Sequence, residues 1–469
     1  MATKRPVKTG AAKSDARATT KTDSRDERLA AGKALRAALP RERHAVWKIP
    51  ARRRDPVGIV MQSNRERIPQ LVPIRHGRML RSPFTFLRGS AGLMAYDLST
   101  TPSTGLRVQA CGDCHLLNFG MFATPERNLV FDINDFDETL PAPWEWDVKR
   151  LAASFAVAGR DRKFKDKDAR AAAVECVRAY RENLRRYAKM SPLDLWYDRL
   201  DFATVIANAP DAKAKLFRQQ IAAKAQRRVA EYLFPKITAA VDGRHRLIDQ
   251  LPVLFHRDDV YADPLVLEAM QRYWRSLSDD RRVLFDRYHI EDLAIKVVGI
   301  GSVGTRCFVA LFFSADEQPL LLQIKEACAS VLEPYAGKSI YRNHGQRVVV
   351  GQRVIQSSSD IFLGWTRGRR GFNYFVRQLR DMKMSFPVDG FTTTQLRRYA
   401  EGCGWTLARA HAKSGDAAMI SGYLGKSDVF DRAIGDFALA YADQTERDHA
   451  QFAAAVQSGR IDALVEEDE

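Results

Sequence analysis

In Cys111-Gly112-Asp113-Cys114-His115-Leu116-Leu117-Asn118 an acid stands five residues ahead of an amide. An apolar stretch follows, with turn-forming residues at Thr124-Pro125-Glu126-Arg127-Asn128, and it ends in Asn134-Asp135-Phe136-Asp137-Glu138. Asn128 to Ile133 is strand-like, so the stretch reads as a hydrophobic hairpin that returns a second group of acids to the first. That order suits one proton acceptor, Asp113, and two hard oxygen ligands for Mg²⁺, Asn118 and Asp135, around one phosphate. Asp132 and Asp137 stand close to Asp135 and can share its role. The competing reading is a pair of loop acids with an Asx turn.

Far downstream, Leu293 to Val298 is β-rich and runs into Gly299-Ile300-Gly301-Ser302-Val303-Gly304. A dinucleotide-binding glycine motif is followed by a helix. Here Arg306 to Phe313 is rich in β-branched and aromatic residues, which predicts a strand. Strand, glycine turn, strand is the arrangement of a flap over nucleotide phosphates, where small residues let backbone N–H groups approach closely. An ordinary glycine hairpin is the alternative. Leu320-Leu321-Leu322-Gln323-Ile324-Lys325 is a further apolar strand that ends on a cation. A lysine buried there needs a counter-charge, which a phosphate would supply, unless it snorkels to water.

Between these motifs, Leu106 to Ala110 alternates like a short strand, and Trp144 to Arg160 reads as a helix with Val148, Leu151, Ala152 and Phe155 on one face. From about Asp166 to Tyr288 the composition is helical, and helices return from about Phe372. The expected segments are a basic disordered tail (1–55), a mostly helical lobe with the acid loop (56–290), a small β lobe (291–370), a helical return (371–458) and an acidic tail (459–469). The formal net charge is +17, but residues 1–54 hold 16 Lys/Arg against 5 Asp/Glu, leaving +6 for the other 415 residues. So basic a tail, poor in large apolar residues, is expected to stay unfolded. It is either a solvated extension or a nucleic-acid-binding arm.

No apolar run reaches the ~18 residues of a membrane span, and no secretory h-region is visible. Six scattered cysteines are too few for a disulfide scaffold, which points to the cytoplasm. Cys111-x-x-Cys114-His115 also spells a haem-attachment pattern or half of a zinc site, but no second ligand pair is evident. His411 reads as a helix-end histidine.

Gly112-Asp113-x-His115-x-x-Asn118 resembles the catalytic loop of the aminoglycoside phosphotransferase branch of the protein-kinase-like superfamily. Asp135-Phe136-Asp137-Glu138, followed by Trp144-Glu145-Trp146-Asp147, is similar to that branch's metal-binding and structural acids. Over most of its length, through Phe86-Leu87-Arg88-Gly89 and the two acid motifs, the chain resembles the bacterial domain-of-unknown-function family numbered 2252. The resemblance implies a two-lobed kinase-like α+β fold binding ATP and Mg²⁺. Asp113 would be the catalytic base. Asn118 and Asp135 would be metal ligands. Gly299, Gly301, Ser302 and Gly304 would form the flap, and Lys325 would hold the α/β-phosphates. Asp147 would brace the loop, with His115 and Asp137 in supporting positions.

The order departs from that pattern, because the acid loop precedes the flap by about 180 residues; a circular permutation reconciles the two. Thr406 to Asp416 resembles the helix that normally leads into the catalytic loop. The lysine's usual glutamate partner would have to be Glu326 or Glu333. The expected function is phosphate transfer from Mg-ATP to an unknown hydroxyl-bearing small molecule or protein. The alternatives are a nucleotide-binding pseudokinase scaffold, a nucleotidyltransferase, and nucleic-acid binding through residues 1–54.

Overall fold

Along Cys307–Ser314 the side chains of Val309, Leu311 and Phe313 alternate with those of Ala310 and Phe312, and all are buried. A strand apolar on both sides has to be central and covered twice. The computed structural model, which describes residues 23–256, 264–368, 371–379 and 381–466, places it so. The six-stranded antiparallel sheet runs Gly364–Arg367, Asn373–Gln378, Pro319–Glu326, Cys307–Ser314, Tyr288–Lys296, Leu254–Phe255. Ala310, Phe312, Leu320 and Leu322 pack against Tyr273, Phe285 and Phe362 on one face. Val309, Leu311, Phe313 and Leu321 pack against Leu233, Leu247 and Leu254 on the other. Lys325 follows Leu321 and Gln323 at period two, so it lies on this second face at the strand's end.

The second body is helical. Trp144–Asp161, Asp166–Tyr187, Thr393–Ser414 and Val429–Gln457 form one core with the acid-loop strands. Thr393–Ser414 crosses Asp166–Tyr187 so tightly that a Cβ on Gly404 would lie 2.0 Å from the Cys176 carbonyl oxygen; only glycine fits. Two small antiparallel sheets carry the acid motifs. Arg107–Ala110 pairs with Leu140–Pro143, and Phe119–Ala123 lies between Leu129–Ile133 and Met384–Ser385. The architecture is α+β, and no helix among the described residues is long and apolar enough to cross a membrane.

The structure corrects the segment boundaries. Residues 371–458 do not begin as helix: Asn373–Gln378 is a strand of the main sheet, where Tyr374, Phe375 and Val376 are buried and cover the edge of Pro319–Glu326. Residues 291–370 include the helix His344–Ile355, and the sheet draws Leu254–Phe255 and the first residues of Tyr288–Lys296 from the 56–290 segment. The expected disordered tail is also corrected. Its first 22 residues lie outside the described residues, as do 467–469 of the acidic tail, but Ser24 opens a helix, Arg25–Ala34, through a capping box. Three of the arginines that follow are held by the fold, whereas Arg43, Arg52 and Arg54 are exposed. Arg36 donates to the carbonyls of Tyr423 (2.8 Å) and Gly422 (2.6 Å), and Arg41 to that of Leu424 (2.6 Å), filling the open acceptors at the C-terminus of Ala417–Leu424. Arg53 is clamped between Asp97 and Asp448. At the other end Glu466 pairs with Arg78 at 2.6 and 2.8 Å.

Candidate functional site

Three residues on one face of Trp144–Asp161, spaced i, i+3, i+7, hold the acid loop. Asp147 accepts the backbone N–H of Cys111 (2.8 Å) and of Gly112 (3.0 Å). Ser154 Oγ accepts the N–H of Leu116 at 3.0 Å. Arg150 donates to Asp113 Oδ1 through Nε at 2.8 Å and through Nη2 as well. Gly112 has φ +82°, and a Cβ there would meet the Glu138 carbonyl oxygen at 2.5 Å, so this turn demands glycine. His411 stands in the last turn of Thr393–Ser414 as expected, and it is buried between the Tyr180 hydroxyl (2.9 Å) and Asp147 Oδ2 (3.2 Å).

Hairpin register brings the amide to the second acid motif. Phe119 pairs with Ile133, and the N–H of Asn134 donates to the Asn118 carbonyl at 2.8 Å. Asn118 Nδ2 donates to the Asp113 carbonyl at 2.7 Å, which leaves the amide oxygen as the group that can meet a cation. Asp113 and Asp135 line one small polar cavity with Asp137, Gly301, Arg67 and Arg88.

The glycine loop and the lysine reach the same place from far along the chain. Lys325 Nζ donates to Asp137 Oδ2, 188 residues away in sequence, and Ser302 Oγ donates to the same oxygen at 3.2 Å. A Cβ on Gly301 would stand 3.9 Å from Asp113 Oδ2, whereas one on Gly299 would meet nothing within 4 Å. Gly304, at φ +86°, closes the loop, with its carbonyl accepting the Ile68 N–H at 2.7 Å. Arg67 grips the carbonyls of Val303 and Gly301. The expected partners of the lysine do not pair with it: Glu326 binds Arg306 at 3.1 Å, and Glu333 lies 3.9 Å from His344 with its Oε1 making no hydrogen bond. Asp137 takes that place.

The electrostatics follow from burial against charge. Burial would raise Asp135, but Lys325, Arg377 and Lys383 hold its carboxyl down at about 2. Burial would lower Lys325, but Asp137 and Asp135 outweigh it and keep the ammonium above its ordinary value. Lys383, buried and beside Arg377, is pushed down to about 7, and burial lowers His115 to about 4, so that ring is neutral. Arg150, Arg377 and Lys383 carry no sequence signal that singles them out. Each reaches the site only through tertiary packing.

Burial pushes Glu138 up to about 7; its Oε2 accepts the Val331 N–H at 2.7 Å. For a raised acid the penalty on the folded state is absent below the ordinary value and complete above the folded one. Glu138→Gln, which keeps an acceptor, should therefore raise stability by about 1 kcal/mol at pH 8, after a discount for partial exposure, and lose that gain by pH 4.5. Thermal unfolding at the two pH values checks it; an equal gain at both would refute the burial argument.

Two groups of ligand atoms can be compared for a metal. Asp135 and Asp137 line the cavity, and Asp137 Oδ1 is buried without a hydrogen-bond partner; with the Asn118 amide oxygen these are oxygens of the hard type that Mg²⁺ takes. The ligand atoms of Cys111, Cys114 and Asp147 lie within 4.8 Å of one another. Burial lifts the Cys111 thiol well above its ordinary value and Cys114 to about 12, and Asp147 is spent on backbone N–H groups, so that cluster fits zinc poorly. The same burial leaves no space for a haem on these cysteines.

Fold and site together define an α+β protein whose antiparallel sheet delivers a buried lysine and a glycine loop onto an acid loop held by a helical body. The chain belongs to a family described as uncharacterized protein conserved in bacteria (DUF2252), whose model matches residues 67–455. No curated protein and no solved structure matches it.

Proposed function

We propose that the chain is a Mg-ATP-dependent phosphotransferase of circularly permuted, kinase-like design, acting on a hydroxyl-bearing acceptor. The observation that carries the reading is the meeting of Lys325 and Ser302 on Asp137, next to Asp113 and Asp135, from segments that are remote in sequence. Permutation is supported by the end of Thr393–Ser414, where Ser414 Oγ accepts the Gln109 N–H at 3.0 Å. That helix thus abuts the strand entering the acid loop, as a chain cut and rejoined elsewhere would require.

In this reading Asp113, fixed through Oδ1 by Arg150, turns Oδ2 to the acceptor hydroxyl and orients it. Lys325, Arg377 and Lys383 neutralise the phosphates, and Ser302 with the glycine loop covers them. Asn118, Asp135 and Asp137 would hold Mg²⁺, which when bound neutralises phosphate oxygens. The cavity of ≈ 60 Å³ has room for only a few waters. Nucleotide entry therefore requires the glycine loop to part from the wall formed by residues 59–93.

The test is ADP formation with Mg-ATP across a panel of hydroxyl compounds and proteins, together with direct nucleotide titration. Lys325→Met should weaken ATP binding about 10- to 100-fold, the worth of one charge-assisted contact; equal affinity would refute the phosphate role of Lys325. A second reading, a nucleotide-binding scaffold, is favoured by the commitment of Asp113 Oδ1 to Arg150. Thermal stabilisation by Mg-ATP with no ADP formed on any acceptor would select it. No observation favours nucleic-acid binding by the basic segment, since Arg36, Arg41 and Arg53 are spent inside the fold.

A further inference from the structure

We propose that Arg88 binds an anionic group of the acceptor, so that the phosphorylated compound is a hydroxyl-bearing phosphate or carboxylate rather than a neutral alcohol or sugar. This rests on the phosphotransfer reading of the same cleft.

Arg88 stands near the end of the helix Pro83–Gly89 and lines the cavity that Asp113 and Gly301 also line. Its Nε is buried and has no hydrogen-bond partner. The neighbouring arginines are committed. Arg67 holds the carbonyls of Gly301 and Val303. Arg75 holds Asn64 Oδ1 and the Gly89 carbonyl. Arg150 holds Asp113 Oδ1. A guanidinium cannot give up its proton in a protein, so a desolvated one requires a counter-charge. The carboxylates acting on it are Asp113, which already answers to Arg150, and Asp389, and neither makes a hydrogen bond to its Nε.

Geometry sets Arg88 beside Asp113: a Cβ on Gly301 would stand 3.8 Å from the Arg88 carbonyl oxygen and 3.9 Å from Asp113 Oδ2. The carboxylates acting on Arg88 are Asp113 and Asp389, whereas Lys325 feels Asp137 and Asp135. Arg88 thus lies on the Asp113 side of the cleft, where the acceptor hydroxyl enters. A planar fork of donors in a partly dry pocket matches the two oxygens of a carboxylate or phosphate. An anion seated there would bring its own hydroxyl to Asp113 Oδ2 and would satisfy the stranded Nε.

The experiment is calorimetric titration of the full chain with inorganic phosphate and, separately, with malonate, in metal-free buffer, for wild type, Arg88→Gln and the surface control Arg170→Gln. At least one anion should bind wild type. Arg88→Gln should raise its Kd about tenfold or more, the worth of one charged hydrogen-bonded contact, while Arg170→Gln, which removes a surface cation paired with Asp436, leaves it within about twofold of wild type. Which anion binds tells phosphate from carboxylate acceptors. Equal Kd in Arg88→Gln and wild type, no heat with either anion at millimolar concentration, or an equal loss in Arg170→Gln, would each overturn the proposal. If Arg88→Gln fails to fold, Arg88→Lys keeps the charge but not the fork, and should still weaken the anion several-fold; unchanged binding overturns the proposal there too. Arg88-dependent anion binding in a chain that binds no Mg-ATP would keep this site and refute phosphotransfer. Mg-ATP binding without an Arg88 effect on anions would do the reverse.

Discussion

Asp135→Ala is expected to cut Mg²⁺-dependent ATP turnover by about 10³-fold or more, the order seen when a charge-stabilising group is removed from a phosphoryl-transfer site. The fold should survive. Asp135 makes a single local contact with backbone, the Asp137 N–H at 3.3 Å, and Lys325 keeps its partner Asp137. What is lost is the carboxylate that Lys325, Arg377 and Lys383 hold ionised down to about pH 2, and with it a hard ligand beside Asn118. The variant should keep a wild-type circular dichroism spectrum, with an unfolding midpoint lowered because Lys325, Arg377 and Lys383 lose a buried counter-charge, and ADP release reduced to background. Turnover equal to wild type in a folded Asp135→Ala protein would sink the assignment of this cleft.

Local chemistry was readable from the chain. The turn at Thr124 to Asn128, the strand before the second acid motif and the helix from Trp144 follow from residue type and spacing, and the antiparallel register then carries Asn118 to Asn134 without information from elsewhere. The strand ending at Lys325 was readable for the same reason. Partners were not. Glu326 and Glu333 were the first glutamates after the lysine in sequence, yet Asp137, 188 residues back, meets the ammonium. Which of two acids a buried lysine finds is decided by how the sheet docks on the helical body, and no window of sequence contains that.

The strand Asn373–Gln378 was missed because its charged and amide residues, Asn373, Arg377 and Gln378, hide a three-residue buried centre, Tyr374 to Val376. The amino-terminal segment misled for a different reason. Composition counts each arginine as a solvated charge, but Arg36 and Arg41 serve as caps for carbonyls at a helix end nearly 390 residues away, with separations of 387 and 383. A charge-rich segment folds when the body presents acceptors that its own backbone cannot supply.

Asp147→Ala should have the opposite signature to Asp135→Ala: stability lost first, and activity only as a consequence. Asp147 is buried, and it accepts the N–H of Cys111 at 2.8 Å, the N–H of Gly112 at 3.0 Å and a contact from His411 Nε2 at 3.2 Å. Alanine would strand these donors in a core where water cannot replace the carboxylate. At about 1–3 kcal/mol for each unsatisfied buried group, the loss is on the order of 4 kcal/mol, a large part of the ~5–15 kcal/mol that holds a typical domain folded. Asparagine does not rescue it fully, because one of the two backbone donors would then face an NH₂ group. The expected result is a large fall in the urea midpoint for Asp147→Ala, a smaller one for Asp147→Asn, and faster hydrogen exchange at the Cys111 and Gly112 amides in both. The charge on Asp147 acts through the loop rather than on phosphate, so whatever fraction stays folded should bind Mg-ATP with nearly wild-type affinity. A stable Asp147→Ala protein that had lost nucleotide binding would invert the roles given to Asp147 and Asp135.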